Sequence, residues 1–78
     1  MIIKDLGSIV RVCISEFEVY NFKRRFPCSG LPDSRVAFEF EKRNGDLVDL
    51  WPYDMDGPGV LALSQDAQEY ARSRGFSL

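Results

Sequence analysis

Histidine is missing from this sequence of 78 residues, and cysteine occurs only twice. Without histidine the chain cannot build a Ser-His-Asp triad, a Cys-His pair, an HExxH zinc helix or a Cys/His zinc finger. Cys13 and Cys28 are too few for a disulfide scaffold and lack the CxxC spacing of metal and redox motifs. We therefore predict free thiols in a reducing compartment, with no metal and no other cofactor.

Long apolar runs are also missing. None approaches the roughly 18 residues that span a bilayer, and the first residues lack the apolar core and cleavage site of a signal peptide. The hydrophobic content of 45% and charged content of 28% are ordinary for a small globular protein. We expect a cytoplasmic protein, a single α+β domain over residues 1–78, and no membrane partner.

Charge is unevenly distributed, although the net charge is only −2. Residues 39–69 hold eight acidic and two basic side chains, a net charge of −6. The basic side chains form no stripe of the kind that binds nucleic acid, so a nucleic-acid partner is not expected. Lys23, Arg24 and Arg25 form a local basic cluster, which is typical of the last turn of a helix.

The first half of the chain predicts a strand followed by a helix. Residues 8–14 alternate with the period of a strand and are rich in β-branched side chains. Ser15 followed by Glu18 is a capping box, which predicts a helix over residues 16–26. Pro27 should end that helix.

The middle of the chain predicts a β-hairpin. Residues 35–41 alternate between apolar and polar side chains, and residues 46–51 form a second short run of the same kind. Asn44 and Gly45 lie between the two runs, and Asn-Gly is the strongest short hairpin signal.

A second helix is predicted over residues 60–74. Gly75 should end it, and Phe76 should fold back on Ala71 as the apolar contact of a Schellman motif. The complete prediction is an α+β fold: a small, mainly antiparallel three-stranded sheet with two helices, in the order β-α-β-β-α.

Cys28 is a poor candidate for catalysis. A phosphatase-type loop needs five residues between cysteine and arginine and a following helix, whereas six residues separate Cys28 from Arg35 and a strand is predicted next. No obvious base is available to activate the thiol. The run from Phe26 to Pro32 is better explained as a connection between helix and strand, in which Gly30 adopts a positive φ. We therefore do not expect an enzyme.

The acidic loop that contains Asp54 and Asp56 is a weak calcium candidate. An EF-hand loop would require an acid at position 52 and a glutamate at position 63, where this chain has Pro52 and Leu63. Paired carboxylates could serve acid–base catalysis, but a chain of this size has little room for a substrate pocket. Solvated charge is the better interpretation of these residues.

Two surfaces are candidates for binding another protein. Tryptophan and tyrosine beside charged groups are typical anchors of protein interfaces. Strand alternation puts Val48 and Leu50 on one face and Asp49 with Trp51 on the other, which we expect to be exposed. The first candidate surface consists of Asp46, Asp49, Trp51, Tyr53, Asp54 and Asp56. The second consists of Phe17, Tyr20, Lys23, Arg24 and Arg25. Burial at the edge of the core is the alternative for the aromatic residues.

Two stretches, FPCSGLPDSRVAFEFEKRNGDLVDL and DGPGVLALSQDAQEYA, carry a resemblance to known proteins. They resemble a group of short uncharacterised proteins from proteobacteria, their phages and integrated elements. The group shares an aromatic-PCSGLP turn, a DLVD hairpin strand and an ALSQDA helix. The resemblance covers residues 19–71, with Phe26 standing where the group has tryptophan. It implies a fold and a source, but no reaction and no functional residues.

These observations favour a non-enzymatic protein-binding module. Small acidic proteins of phages and mobile elements commonly act by binding, and many block a host protein, as anti-CRISPR proteins do; the analogy is one of size and source. We expect a monomer whose acidic surface meets a basic surface on its partner. The alternative is a structural or accessory protein that forms a homodimer through a sheet edge. An enzyme that uses Cys28 is a more distant third possibility.

Overall fold

The chain forms one antiparallel sheet with two helices. The structure, a computed structural model, describes residues 1–27, 29–50 and 58–76. The elements are β1 (Ile2–Asp5), β2 (Ile9–Ile14), α1 (Glu16–Arg25), β3 (Val36–Arg43), β4 (Asp46–Leu50) and α2 (Pro58–Ser73). The four strands lie in the order β1-β2-β3-β4, and every neighbouring pair is antiparallel.

The strand β1 corrects the predicted fold. The chain is α+β, but the three-stranded sheet and the order β-α-β-β-α are wrong, because the sheet has four strands and the order is β-β-α-β-β-α. β1 has only four residues, too few for a clear alternation between apolar and polar side chains. Residues 6–8 connect it to β2, with Gly7 at a φ of 91° and the Leu6 N–H donating to the Ile9 carbonyl at 2.8 Å. Residues 2–5 therefore form a strand because they pair with β2, although their sequence shows little strand pattern.

Helix α1 begins at the predicted capping box. The Glu18 N–H donates to Ser15 Oγ at 3.2 Å, and the Ser15 N–H donates to Glu18 Oε1 at 3.1 Å. The helix ends at Arg25, one residue earlier than predicted, and Phe26 is its C-cap. The Phe26 ring stacks on Phe22 at 4.7 Å between ring centroids, so it covers the end of the buried side of the helix.

The hairpin between β3 and β4 turns at Asn44 and Gly45, as predicted. Both residues have positive φ, 51° and 78°, which a type I′ turn requires. β3 runs two residues further than predicted, to Arg43, because the turn keeps the two strands paired up to its edge. β4 is described through Leu50, and Trp51 lies outside the described residues.

Helix α2 begins at Pro58, two residues before the predicted start, and its end confirms the predicted Schellman motif. Gly75 has a φ of 85°, its N–H donates to the Arg72 carbonyl at 3.0 Å, and the Phe76 N–H donates to the Ala71 carbonyl at 3.2 Å. Within the described residues, no helix is long and apolar enough to cross a membrane.

The two faces of the sheet are different. We call the face against which the helices pack the inner face, and the opposite one the outer face. The buried core combines inner-face side chains with one stripe from each helix. The inner-face members of this core are Val10, Val12, Ile14, Val36, Phe38, Phe40 and Leu47. The helix members are Val19, Phe22, Val60, Leu63, Ala67 and Ala71.

The connection that contains Cys28 supports the start of α2. Ser29 is 1% exposed, and its Oγ accepts a hydrogen bond from the Leu31 N–H at 3.3 Å. A Cβ atom on Gly59 would lie 2.3 Å from the Ser29 Cβ, so only glycine allows α2 to approach this closely. Gly30 has the predicted positive φ, 79°. Ser29 and Gly59 therefore form one packing contact between this connection and α2, while Cys28 itself lies outside the described residues.

Candidate functional site

Asp46, the first residue of the predicted acidic surface, is exposed on the outer face but already engaged. Its Oδ1 accepts bonds from Arg72 Nη2 at 2.9 Å, from Arg72 Nε at 3.1 Å and from the Leu47 N–H at 2.7 Å. The Leu47 N–H and then the Arg72 guanidinium hold the pKa of Asp46 below its usual value. This carboxylate therefore ties the start of β4 to the last turn of α2.

Asp49 lies on the inner face of β4, not on an exposed side as expected. Its Oδ2 accepts a hydrogen bond from the buried Ser64 hydroxyl of α2 at 2.9 Å. Its Oδ1 is enclosed and finds no hydrogen-bond partner among the described residues. Alternation correctly separates Asp49 from Val48, but it does not indicate that α2 covers the side on which Asp49 lies. This residue links β4 to α2.

The other acids of β3 also have partners within the chain. Glu39 forms an ion pair with Arg11 at 3.0 Å, and Glu41 forms one with Arg43. Together with Asp46, three acids of the segment 39–69 are thus neutralised locally. The remaining predicted residues of the acidic surface, Trp51, Tyr53, Asp54 and Asp56, lie outside the described residues, as does the calcium candidate loop.

Helix α1 presents the second predicted surface to solvent. Phe17 is 72% exposed and Tyr20 is 59% exposed. The Arg24 guanidinium lies 5.9 Å from the Tyr20 ring centroid, within the range of a cation–π interaction. The three residues are spaced at i, i+3 and i+7, so they form one stripe on the helix. We call Phe17, Tyr20 and Arg24 the α1 stripe.

The remaining two members of that predicted surface face elsewhere. Lys23 forms an ion pair with Asp33. The Arg25 guanidinium lies 5.8 Å from the ring centroid of Phe22, which belongs to the buried core. Lys23 therefore ties α1 to the connection that follows it, Arg25 lies over a ring of its own helix, and the structure brings only Phe17, Tyr20 and Arg24 together on one stripe.

A groove of about 630 Å³ lies where β1 begins and β2 ends. Ile2, Cys13 and Ala37, three outer-face neighbours across the strands, contribute apolar lining. Lys4 and Arg35 also line the groove, and neither forms an ion pair with a described residue. We call this feature the outer-face groove. Sequence reasoning missed it, because its edge is formed by β1; the signal available was the pair of β-branched residues ahead of Gly7.

Cys13 is a free, half-buried thiol on the outer face. Among residues 1–27, 29–50 and 58–76, no three histidine, cysteine, aspartate or glutamate side chains are grouped to hold a metal ion. The described geometry therefore offers surfaces for binding, namely the α1 stripe and the outer-face groove.

Comparison of the chain with protein-family models, with curated proteins and with solved structures finds no match.

Proposed function

We propose that this chain is a non-enzymatic, cytoplasmic protein-binding module that inhibits a host protein on behalf of a phage or mobile element, as anti-CRISPR proteins do. The observation that supports the proposal best is the α1 stripe. Two large aromatic side chains on one stripe of a helix remain 72% and 59% exposed after this chain has folded, so most of their apolar surface is left for a partner. Aromatic residues with an adjacent arginine are the side chains most enriched among interface hot spots.

The helix that carries the stripe is rigid enough to present it. A capping box holds its first turn, and Val19 and Phe22 anchor its opposite side in the core. Anchors at i, i+3 and i+7 are typical of helices that bind in an apolar groove of a partner. Because Arg24 forms no ion pair with a described residue, the partner groove should have an acidic rim next to the aromatic pocket.

The acidic segment is the second candidate interface, for a partner with a basic surface. The excess of acids in residues 39–69 supports it. However, Asp46 and Asp49 are engaged with α2, so Asp54 and Asp56 would have to supply most of the attraction. We therefore rank the α1 stripe first.

The experiment is an affinity capture from bacterial lysate with matched variants. Wild type should retain a specific host protein, and Phe17→Ala with Tyr20→Ala should lose it. Leu61→Ala is the control, because Leu61 is 54% exposed on α2 and its loss removes exposed apolar surface from the other helix. It should retain the partner. Circular dichroism should show the same folded spectrum for all three proteins.

Two further variants separate the alternatives. If Asp54→Lys with Asp56→Lys loses the partner while the aromatic double variant retains it, the interface is the acidic segment. Light scattering at micromolar concentration should give the mass of a monomer. A stable dimer that captures no host protein would contradict the inhibitor proposal and favour an accessory protein that pairs through a sheet edge.

A further inference from the structure

The strand β1 is an edge of the sheet, and its outward backbone groups are positioned to accept another strand. The Leu6 N–H donates to the Ile9 carbonyl, so alternation along the ladder assigns the bonds with β2 to the even-numbered residues of β1. The N–H and C=O groups of Ile3 and Asp5 therefore point away from β2. No described strand pairs with them.

The outer-face groove beside this edge carries positive charge over an apolar lining. Its cations are Lys4, Arg11 and Arg35, and its one carboxylate, Glu18, is occupied by the N-terminal ammonium group at 2.7 Å. Arg11 is paired with Glu39. Lys4 and Arg35 thus remain available to a ligand, which should be acidic and should also offer an apolar group to Ile2.

We propose that β1 captures an extended acidic segment of a partner protein as a fifth, antiparallel strand. Ile2 and Lys4 lie on the outer face, and Ile3 lies on the inner face beside the core. A captured strand would place an acid opposite Lys4, an apolar residue opposite Ile3 and another opposite Ile2. Read along the captured chain, the recognised pattern is acidic–apolar–apolar. This surface is separate from the α1 stripe, and the inference stands without it.

A second copy of the chain fits this edge less well. Two β1 strands related by a twofold axis must pair residues of like face. With Ile3 opposite Ile3 of the other copy, Lys4 lies opposite Ile2. With the register shifted by one step, Lys4 lies opposite Lys4, and like charges directly opposite are unfavourable. Neither register gives Lys4 a carboxylate, whereas an acidic segment does.

The test is fluorescence polarisation with labelled peptides that contain Thr-Glu-Val-Leu-Thr. The valine should face Ile3 and exchange hydrogen bonds with it. N-methylation of that valine should weaken binding about tenfold, because it removes a ladder hydrogen bond and adds bulk at the edge. N-methylation of the glutamate, whose N–H points away from β1, should change affinity less than about twofold. This arm leaves the protein itself unchanged.

Charge reversal tests whether Lys4 binds the acidic residue of the peptide. Lys4→Glu should weaken binding about fivefold, and a Thr-Lys-Val-Leu-Thr peptide should recover it. Arg74→Glu, which makes the same change of net charge at the C-terminal end of α2, should bind like wild type. The proposal is overturned by absence of saturable binding, by equal effects of the two N-methyl groups, or by a peptide with the order Val-Glu-Leu binding as well as Glu-Val-Leu.

Discussion

The inner and outer faces of the sheet are built from the same four strands, but their side chains contribute differently to the free energy of unfolding. On the inner face Val12 and Phe40 are fully buried, and each such side chain contributes about 1.5–3 kcal/mol by leaving water. On the outer face Ile2 is 66% exposed and Val48 is 38% exposed. Cross-strand ion pairs there contribute little to stability. Folding therefore buries the inner face, whereas the outer face stays exposed and available for binding.

Substitutions at two neighbouring residues of β3, Phe40 and Glu39, should differ most in their effect on stability. Phe40→Ala should destabilise the chain by about 3–5 kcal/mol, which is close to the whole stability of a domain this small. The variant should be unfolded at 25 °C by circular dichroism. Glu39→Ala, on the outer face, should lose less than about 1 kcal/mol in urea unfolding. Similar losses for the two variants would contradict the distinction between the faces.

Two glycines of α2 and its C-terminal end test how closely this helix packs over the inner face. Gly59→Ala places a Cβ 2.3 Å from the Ser29 Cβ and should destabilise the fold by about 1–3 kcal/mol or more. Gly75→Ala is the control, because a Cβ there meets nothing within 4 Å. It should lose only about 1 kcal/mol, from its positive φ. If thermal unfolding ranks Gly75→Ala as the worse variant, the close packing of Gly59 on Ser29 is contradicted.

The polar contact between β4 and α2 should have an intermediate effect. Ser64→Ala leaves the Asp49 carboxylate without its donor and should destabilise the protein by about 1–2 kcal/mol. Adding Asp49→Leu should restore most of that stability, because removing both polar partners leaves no buried group unpaired. Urea unfolding of the single and double variants measures both values. A double variant less stable than Ser64→Ala would show that Asp49 has another important partner.

Three carboxylates, one each on β1, α1 and β4, should make stability depend on pH. Lys42 and then the Gly7 N–H lower the pKa of Asp5. Burial opposes the ionisation of Glu18, but bonds from the N-terminal ammonium group and from Ser15 outweigh it and leave its pKa lowered. With Asp46, these groups bind protons more tightly in the unfolded chain than in the folded one.

The effect of pH should be the smallest of the four, because Asp5 and Asp46 are exposed and Glu18 is only partly buried. The unfolded values lie near pH 4, so the contribution is complete above about pH 5 and is lost as pH falls through the lower folded values. The urea midpoint should therefore be flat from pH 7 to 5 and decrease toward pH 3. Arg72→Gln should make that decrease shallower, since it removes a partner of Asp46. A midpoint that rises on acidification would reverse the assigned directions.

The sequence predicted the features whose partners lie within a few residues. The capping box at Ser15, the Asn44-Gly45 turn and the Schellman end at Gly75 each close their hydrogen bonds locally. Strand periodicity also predicted which side chains share a face, because alternation separates the two faces of a strand whatever packs on them. The exposed aromatics of the α1 stripe followed from the same geometry. These are short-range consequences of backbone conformation and side-chain spacing.

Only the tertiary structure decided which of the separated faces would be covered. Alternation placed Asp49 apart from Val48, but the packing of α2 turned Asp49 inward and left the outer face open. It also decided that β1 would join the sheet, since four residues gain strand order only by pairing with β2. The outer-face groove and the contact between Gly59 and Ser29 have the same origin. Each depends on elements distant in sequence meeting in space, which local pattern does not encode.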